Sequence, residues 1–188
     1  MTATEDTDAT VLVVDDEPEL VSLYSAWLSE SYDVRSATGG EDALEALDPS
    51  IDVALLDRRM PTVTGDDVLA EIRDRGIDCR VAMITAVEPD TSVIDMPFED
   101  YLIKPIDREA LVATVEVLLK RRTYDRKSRE FFTLASKKAA LEAAERDHTS
   151  DPEYRKLADR MEELRSSIDT TLDDLGPEGY EAAFHELR

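Results

Sequence analysis

The stretch Val53-Ala54-Leu55-Leu56-Asp57-Arg58-Arg59-Met60-Pro61 constrains this chain more than any other. Four apolar residues lead directly into an acid, two arginines, a methionine and a proline. A short apolar run without polar alternation predicts a strand covered on both faces, as in the interior of a parallel sheet. Pro61 stops it, because proline has no N–H to give to a ladder. Asp57 then lies at the carboxyl end of a core strand, where open α/β sheets place their chemistry. An aspartate after a strand is more often a turn or cap residue, and this chain holds 44 acidic residues. The company at the other strand ends singles out Asp57.

Thr10-Val11-Leu12-Val13-Val14 is a second apolar run and ends in Asp15-Asp16. Glu17-Pro18 opens a helix, with proline where the first turn tolerates it. Leu20, Leu23, Tyr24, Trp27 and Leu28 give that helix a stripe expected to be buried. Tyr32 to Ala37 reads as an edge strand, and Gly39-Gly40 precedes a helix carrying Ala43, Leu44 and Leu47. After the Asp57 strand comes a loop with Gly65, then a helix with Val68, Leu69 and Ile72. Arg80–Thr85 is the fourth strand and Tyr101-Leu102-Ile103 the fifth, closed by Lys104-Pro105. Asp107 caps the following helix, striped by Leu111, Val115, Leu118 and Leu119. Five strands alternating with helices predict an α/β fold, a flavodoxin-like, doubly wound, five-stranded parallel sheet.

Beyond residue 122 the strand pattern ends. Tyr154, Leu157, Met161, Leu164, Ile168, Thr171 and Leu175 keep heptad spacing, and Phe131, Leu134 and Leu141 mark a partner helix. Residues 147–152 form the turn, with Asp151 as N-cap and Pro152 at the first position. An all-α helical hairpin is expected, stopped by Gly176-Pro177 and followed by a short helix with Tyr180, Phe184 and Leu187. The organisation expected is a disordered segment 1–9, an α/β domain over 10–122 and a helical domain over 123–188.

At 42% apolar residues the chain can build a core, despite a formal charge of −22. That charge repels bare nucleic acid and anionic membrane over most of the surface. Acids outnumber bases two to one and only six of the 22 bases are lysine, a composition suited to high salt. Cys79 is the single cysteine, so neither an intrachain disulfide nor a Cys-rich metal site forms. Met1–Thr10 lacks the basic and apolar regions of a signal peptide, and no apolar run reaches membrane-spanning length. The cytoplasm is the expected compartment, with no membrane partner.

Four strand ends thus offer Asp15-Asp16, Asp57, Thr85 and Lys104. A flavodoxin-like strand order gathers these ends at one switch point. Carboxylates converging there repel one another unless a cation sits among them, and hard oxygen donors with open water positions suit Mg²⁺. Such a metal keeps Asp57 ionised and neutralises an incoming phosphoryl group. Lys104 can reach a phosphate oxygen as a point charge, and Thr85 can donate its hydroxyl.

With Asp57-x-x-Met60-Pro61, Gly65, Thr85-Ala86, Tyr101 and Lys104-Pro105 following the acid pair in order, residues 10–122 resemble the receiver domain of two-component response regulators. The resemblance implies a phosphorelay protein in which Asp57 accepts a phosphoryl group from a histidine kinase. It implies Mg²⁺ held by Asp15, Asp16, Asp57 and the Arg59 backbone carbonyl. Thr85 and Tyr101 take the positions of the family's switch pair. No enzyme activity beyond self-phosphotransfer and autodephosphorylation is implied. An aspartyl-phosphatase would want a second acid two residues past the nucleophile, where Arg59 stands.

Two departures stand out. Arg59 holds a position that in the family helps set how long the phosphate survives. Only 18 residues separate Thr85 from Lys104, and Pro89 and Pro97 break that stretch, so a stubby or irregular fourth helix is expected.

The C-terminal part resembles the small HalX module that follows receivers in haloarchaea, in keeping with a halophilic archaeon. Its hairpin can pack on a second copy or on a partner helix. Residues 120–138 carry eight bases against Asp125 and Glu130, the one basic patch of the chain. A solvated, ion-paired helix face is favoured there over a DNA contact. The alternative to a phosphoreceiver is a phosphorylation-independent adaptor, a pseudo-receiver with a helical tail. The full set of Asp15, Asp16, Asp57, Thr85 and Lys104 weighs against it, because a silent site has no physical need of them all.

The charge generates a first prediction. Lowering KCl from molar to about 0.1 M lengthens the screening distance and exposes self-repulsion, so Tm falls. An unchanged Tm in a thermal melt would contradict this.

Overall fold

A computed structural model describes residues 9–89, 91–143 and 151–185, without the side chains of Ser92 and 176–185. Of the segment 1–9 expected to be disordered, only Ala9 is described, and its carbonyl accepts from the Asp33 N–H at 3.0 Å; residues 1–8, the turn residues 147–150 and Leu187 fall outside the described residues. The chain divides into two units, residues 1–119 and 120–188.

In the first unit, β1 (Thr10–Val14), β2 (Asp33–Ala37), β3 (Ile51–Leu56), β4 (Arg80–Thr85) and β5 (Asp100–Ile103) form one parallel sheet. Their order is β2-β1-β3-β4-β5. The helices are α1 (Pro18–Leu28), α2 (Gly40–Ala46), α3 (Gly65–Asp74) and α4, which spans Arg108–Ala143 and so runs on past this unit. The flavodoxin-like expectation holds, strand for strand.

Alternation along the central strands explains the two layers. Val11, Val13, Val53, Leu55, Ala82 and Ile84 face one side, where Tyr24 and Leu28 of α1 and Leu111, Val115 and Leu118 of α4 cover them. Leu12, Val14, Ala54, Leu56, Val81 and Met83 face the other side, under Ala43 of α2 and Val68, Leu69 and Ile72 of α3. Each fully buried Leu or Ile contributes about 1.5–3 kcal/mol of transfer free energy. Both faces are dry, so the central strands read as unbroken apolar runs.

Local signals set the helix ends. Pro18 occupies the first turn of α1. Thr64 caps α3 in a reciprocal box with Asp67, which satisfies two otherwise orphaned donors. Asp107 Oδ1 accepts from the Ala110 N–H at 2.8 Å, the expected cap of α4. Leu23 corrects the α1 stripe: it is 42% exposed, and Val21 is buried instead. Position 23 falls just off the face that meets the sheet, because 3.6 residues per turn leave room for only part of the apolar set.

Between β4 and β5 the described residues hold only a 3₁₀ turn, Thr91–Val93, as the short spacing and prolines anticipated. Arg73 secures the end of this segment. Its Nε and Nη2 donate to the Pro97 carbonyl at 3.0 and 2.8 Å, and Nη2 also meets Glu99 at 3.1 Å. Glu99 in turn accepts from Arg80 Nη1 at 3.0 Å.

In the second unit, the later part of α4 lies antiparallel to α5 (Pro152–His185). Lys127 Nζ donates to Ser167 Oγ, Arg160 Nε and Nη2 clasp Glu130 at 2.9 and 3.2 Å, and the Tyr154 hydroxyl donates to Glu142. Leu164 and Thr171 of the heptad are buried, and Tyr154, Leu157, Met161, Ile168 and Leu175 are partly buried. Asp151 caps α5, its Oδ1 accepting from the Glu153 N–H at 2.9 Å. One expectation is overturned: Gly176-Pro177 does not stop the helix, which continues to His185. A proline fixes φ near its helical value and removes one donor, so a helix can pass through it at a cost of about 3 kcal/mol.

Candidate functional site at the strand ends

The strand order reverses between β1 and β3, and Val14 pairs with Leu56 across that point. Asp15 and Asp57 therefore leave the sheet side by side. The Asp57 N–H donates to the Val14 carbonyl at 2.8 Å and the Asp15 N–H to the Ala37 carbonyl at 3.3 Å, extending the ladder by one residue on each strand. On the far side, Lys104 N–H donates to the Thr85 carbonyl at 2.8 Å, which fixes the Lys104 backbone beside β4.

These backbone positions bring the side chains together. Lys104 Nζ lies 2.7 Å from Asp15 Oδ2, 3.2 Å from Asp57 Oδ2 and 3.8 Å from Glu17 Oε1. Asp15 is 1% exposed and Asp57 6% exposed, so two carboxylates and one ammonium share a nearly dry crevice. Asp16 beside them is exposed. One carboxylate oxygen from each of Asp15, Asp16 and Asp57 lies within 4.8 Å of the others, a spacing that fits a single hard cation.

Electrostatics follow from this burial. Desolvation pushes the Asp57 carboxyl above its ordinary range, against the pull of Lys104 and of the Arg59 N–H, which donates to Oδ1 at 3.3 Å. For Lys104 burial acts to lower the ammonium, but hydrogen bonds and attraction to Asp15 and Asp57 raise it overall. The site thus holds its cation tightly and one of its carboxylates uneasily.

Gly65 makes the loop after β3 feasible. Its N–H donates to the Arg58 carbonyl at 3.0 Å, and a Cβ there would stand 2.2 Å from the Asp57 carbonyl oxygen. Backbone cannot yield to such an overlap, so the position demands glycine.

The two arginines after Asp57 part company. Arg58 Nε turns back to Asp66 at 3.1 Å, whereas the Arg59 side chain is exposed. Thr85 is 1% exposed, and its Oγ1 accepts weakly from the Val87 N–H at 3.4 Å. Tyr101 donates its hydroxyl to the Val87 carbonyl at 2.8 Å and stacks at a tilt on Phe98, with centroids 5.7 Å apart. Thr85 and Tyr101 are thereby joined through Val87, two residues past Thr85. Sequence reasoning missed this link, and it missed Glu17 as a third acid near Lys104. Glu17 was legible as the acid following the pair, but its use at the helix entrance masked it.

The sequence of residues 11–116 matches the family model of the response regulator receiver domain, and residues 120–184 match that of the HalX domain. The chain belongs to the response regulator receiver domain family. A candidate transcriptional regulator of Haloferax volcanii is 49% identical to this receiver and tail over 164 residues, 86% of this chain and 28% of that protein. The transcriptional regulatory protein CpxR of Klebsiella pneumoniae is 38% identical over 115 residues, 59% of this chain and 49% of its own length. The chain therefore spans half or less of these relatives. The signal receiver domain of a candidate LuxO repressor from Vibrio parahaemolyticus superposes with a TM-score of 0.58 at 28% identity, covering 63% of this chain and 95% of that domain. No helix among the described residues is long and apolar enough to cross a membrane.

The receiver's buried charges yield a stability prediction. Lys104→Met removes the cation between two buried carboxylates and lowers stability by about 2–4 kcal/mol at pH 7 without metal. Asp57 is disfavoured in its ionised form in the fold, so protonation below pH 7 relieves it and the deficit shrinks towards pH 5. Urea unfolding in KCl with a chelator at both pH values checks this. A deficit that grows on acidification would contradict it.

Proposed function

We propose that Asp57 is the phosphoacceptor of this response regulator, charged by a histidine kinase in the presence of Mg²⁺. One observation carries the proposal: a nearly buried carboxylate contacts the Lys104 ammonium and lies within 4.8 Å of two further carboxylates. Burial, an ammonium contact and converging carboxylates in one crevice are the arrangement a phosphoryl acceptor uses.

The chain's own groups account for the steps. Asp57 must attack as the carboxylate, and Lys104 together with the Arg59 N–H favours that form against desolvation. A carboxylate oxygen bonds to phosphorus as the phosphorus–nitrogen bond of the donor phosphohistidine breaks, leaving its electron pair on the imidazole. Lys104 is placed to meet a non-bridging phosphate oxygen as a point charge. Asp15, Asp16, Asp57 and the Arg59 backbone carbonyl would hold Mg²⁺, which supplies charge neutralisation to the transferring group.

The Thr85 hydroxyl, which accepts weakly from the Val87 N–H at 3.4 Å, can turn to the new phosphate. Tyr101, linked to Val87, would then respond to movement of the Thr85–Val87 segment. Arg59, exposed beside the acceptor, is placed to influence how long the phosphoaspartate survives attack by water. Output runs through the helical unit to another protein, and DNA is disfavoured by a formal charge of −22.

Intact mass after incubation with acetyl phosphate and Mg²⁺ tests the assignment. Wild type gains one phosphoryl group, and Asp57→Asn gains none. An equal gain on both, or none on wild type, would contradict it.

A further inference from the structure

The helical unit carries a hole and a protruding aromatic on the same surface. Tyr124 and Phe131 of α4 and Ile168 of α5 wall a cavity of about 280 Å³, with Arg165 and Asp169 at its edge. Phe132, which also lines it, is 65% exposed and packs edge-on against Phe131 at 6.0 Å between centroids. Ligand pockets run to roughly 300–1,000 Å³ and bury most of their guest. At about 280 Å³ this one lies at the small end of that range and has a largely exposed aromatic in its lining, an arrangement that suits an inserted side chain.

Charge distinguishes the occupant. Along α4, residues 120–138 hold eight bases and two acids, whereas residues 152–175 of α5 hold seven acids and four bases. Beside the cavity, α5 presents exposed Glu162, Asp169 and Asp173 at helical spacing. On α4, Arg122, Arg129 and Phe132 recur at the same kind of spacing. A nucleic acid would meet the acidic stripe together with the basic one and be repelled by it. A surface that joins one basic helix, one acidic helix, a hole and a projecting ring complements itself under two-fold rotation.

We propose that a second copy of this chain docks on this face, as a two-fold dimer of the helical units. Phe132 of each copy enters the Tyr124–Phe131–Ile168 cavity of the other, and the basic α4 of each copy faces the acidic α5 of its mate. The contact needs no phosphorylation and stands independently of the role assigned to Asp57.

Sedimentation velocity of the unphosphorylated full chain in molar KCl, over about 1–100 µM, tests this. The expected species has twice the 21.1 kDa chain mass. Phe132→Asp raises the dimer Kd by about 30-fold or more, as loss of a central aromatic anchor does. Ile94→Asp, at a 75% exposed apolar residue of the sheet unit, leaves Kd unchanged. Circular dichroism reports whether the Phe132 variant keeps its helices; should it lose them, Asp169→Lys decides, and is expected to weaken the dimer. A monomer throughout, a dimer indifferent to the folded variants at 132 and 169, or one broken by Ile94→Asp would overturn the proposal.

Discussion

Two carboxylates at 1% and 6% exposure cannot share a crevice without a cation, and here Lys104 bonds to both. Everything in the receiver serves that meeting. The parallel register of β1 and β3 sets Asp15 beside Asp57, and the hydrogen bond from Lys104 N–H to Thr85 ties the loop after β5 to the end of β4. Gly65 lets the chain turn against the Asp57 carbonyl, where any side chain would collide. The core on both faces of the sheet makes these positions stiff, and stiffness is what holds like charges together.

Such a site is poised. The Lys104 ammonium offsets part of the acidic charge, and three carboxylates against one lysine leave room for another positive charge. Burial raises the Asp57 carboxyl, so this group gains from a nearby cation.

Much of the fold was legible because its signals are local and redundant. The apolar runs at 10–14, 53–56 and 80–85 became the three central strands, and Asp107 and Asp151 became the caps their positions indicated. Asp15, Asp16, Asp57 and Lys104 were legible as a group, since strand ends in a doubly wound sheet converge by topology. What escaped notice depends on distant geometry. The Tyr101–Val87 bond, the Arg73–Pro97 contact and the exposure of Leu23 follow from how elements pack, which spacing does not encode. Gly176-Pro177 misled for a related reason: the two residues are strong breakers alone, but the helix around them persists to His185.

Phosphoryl acceptance at Asp57 requires Asp15, Asp16 and Asp57 to act as one cation site rather than three neighbouring acids. Calorimetric titration of Mg²⁺ into wild type and Asp15→Asn in KCl tests this most directly. The account predicts one Mg²⁺ per chain, bound at least about 10-fold more weakly when Asp15 is neutral. Equal affinity in the two proteins, or no binding by wild type, would contradict it.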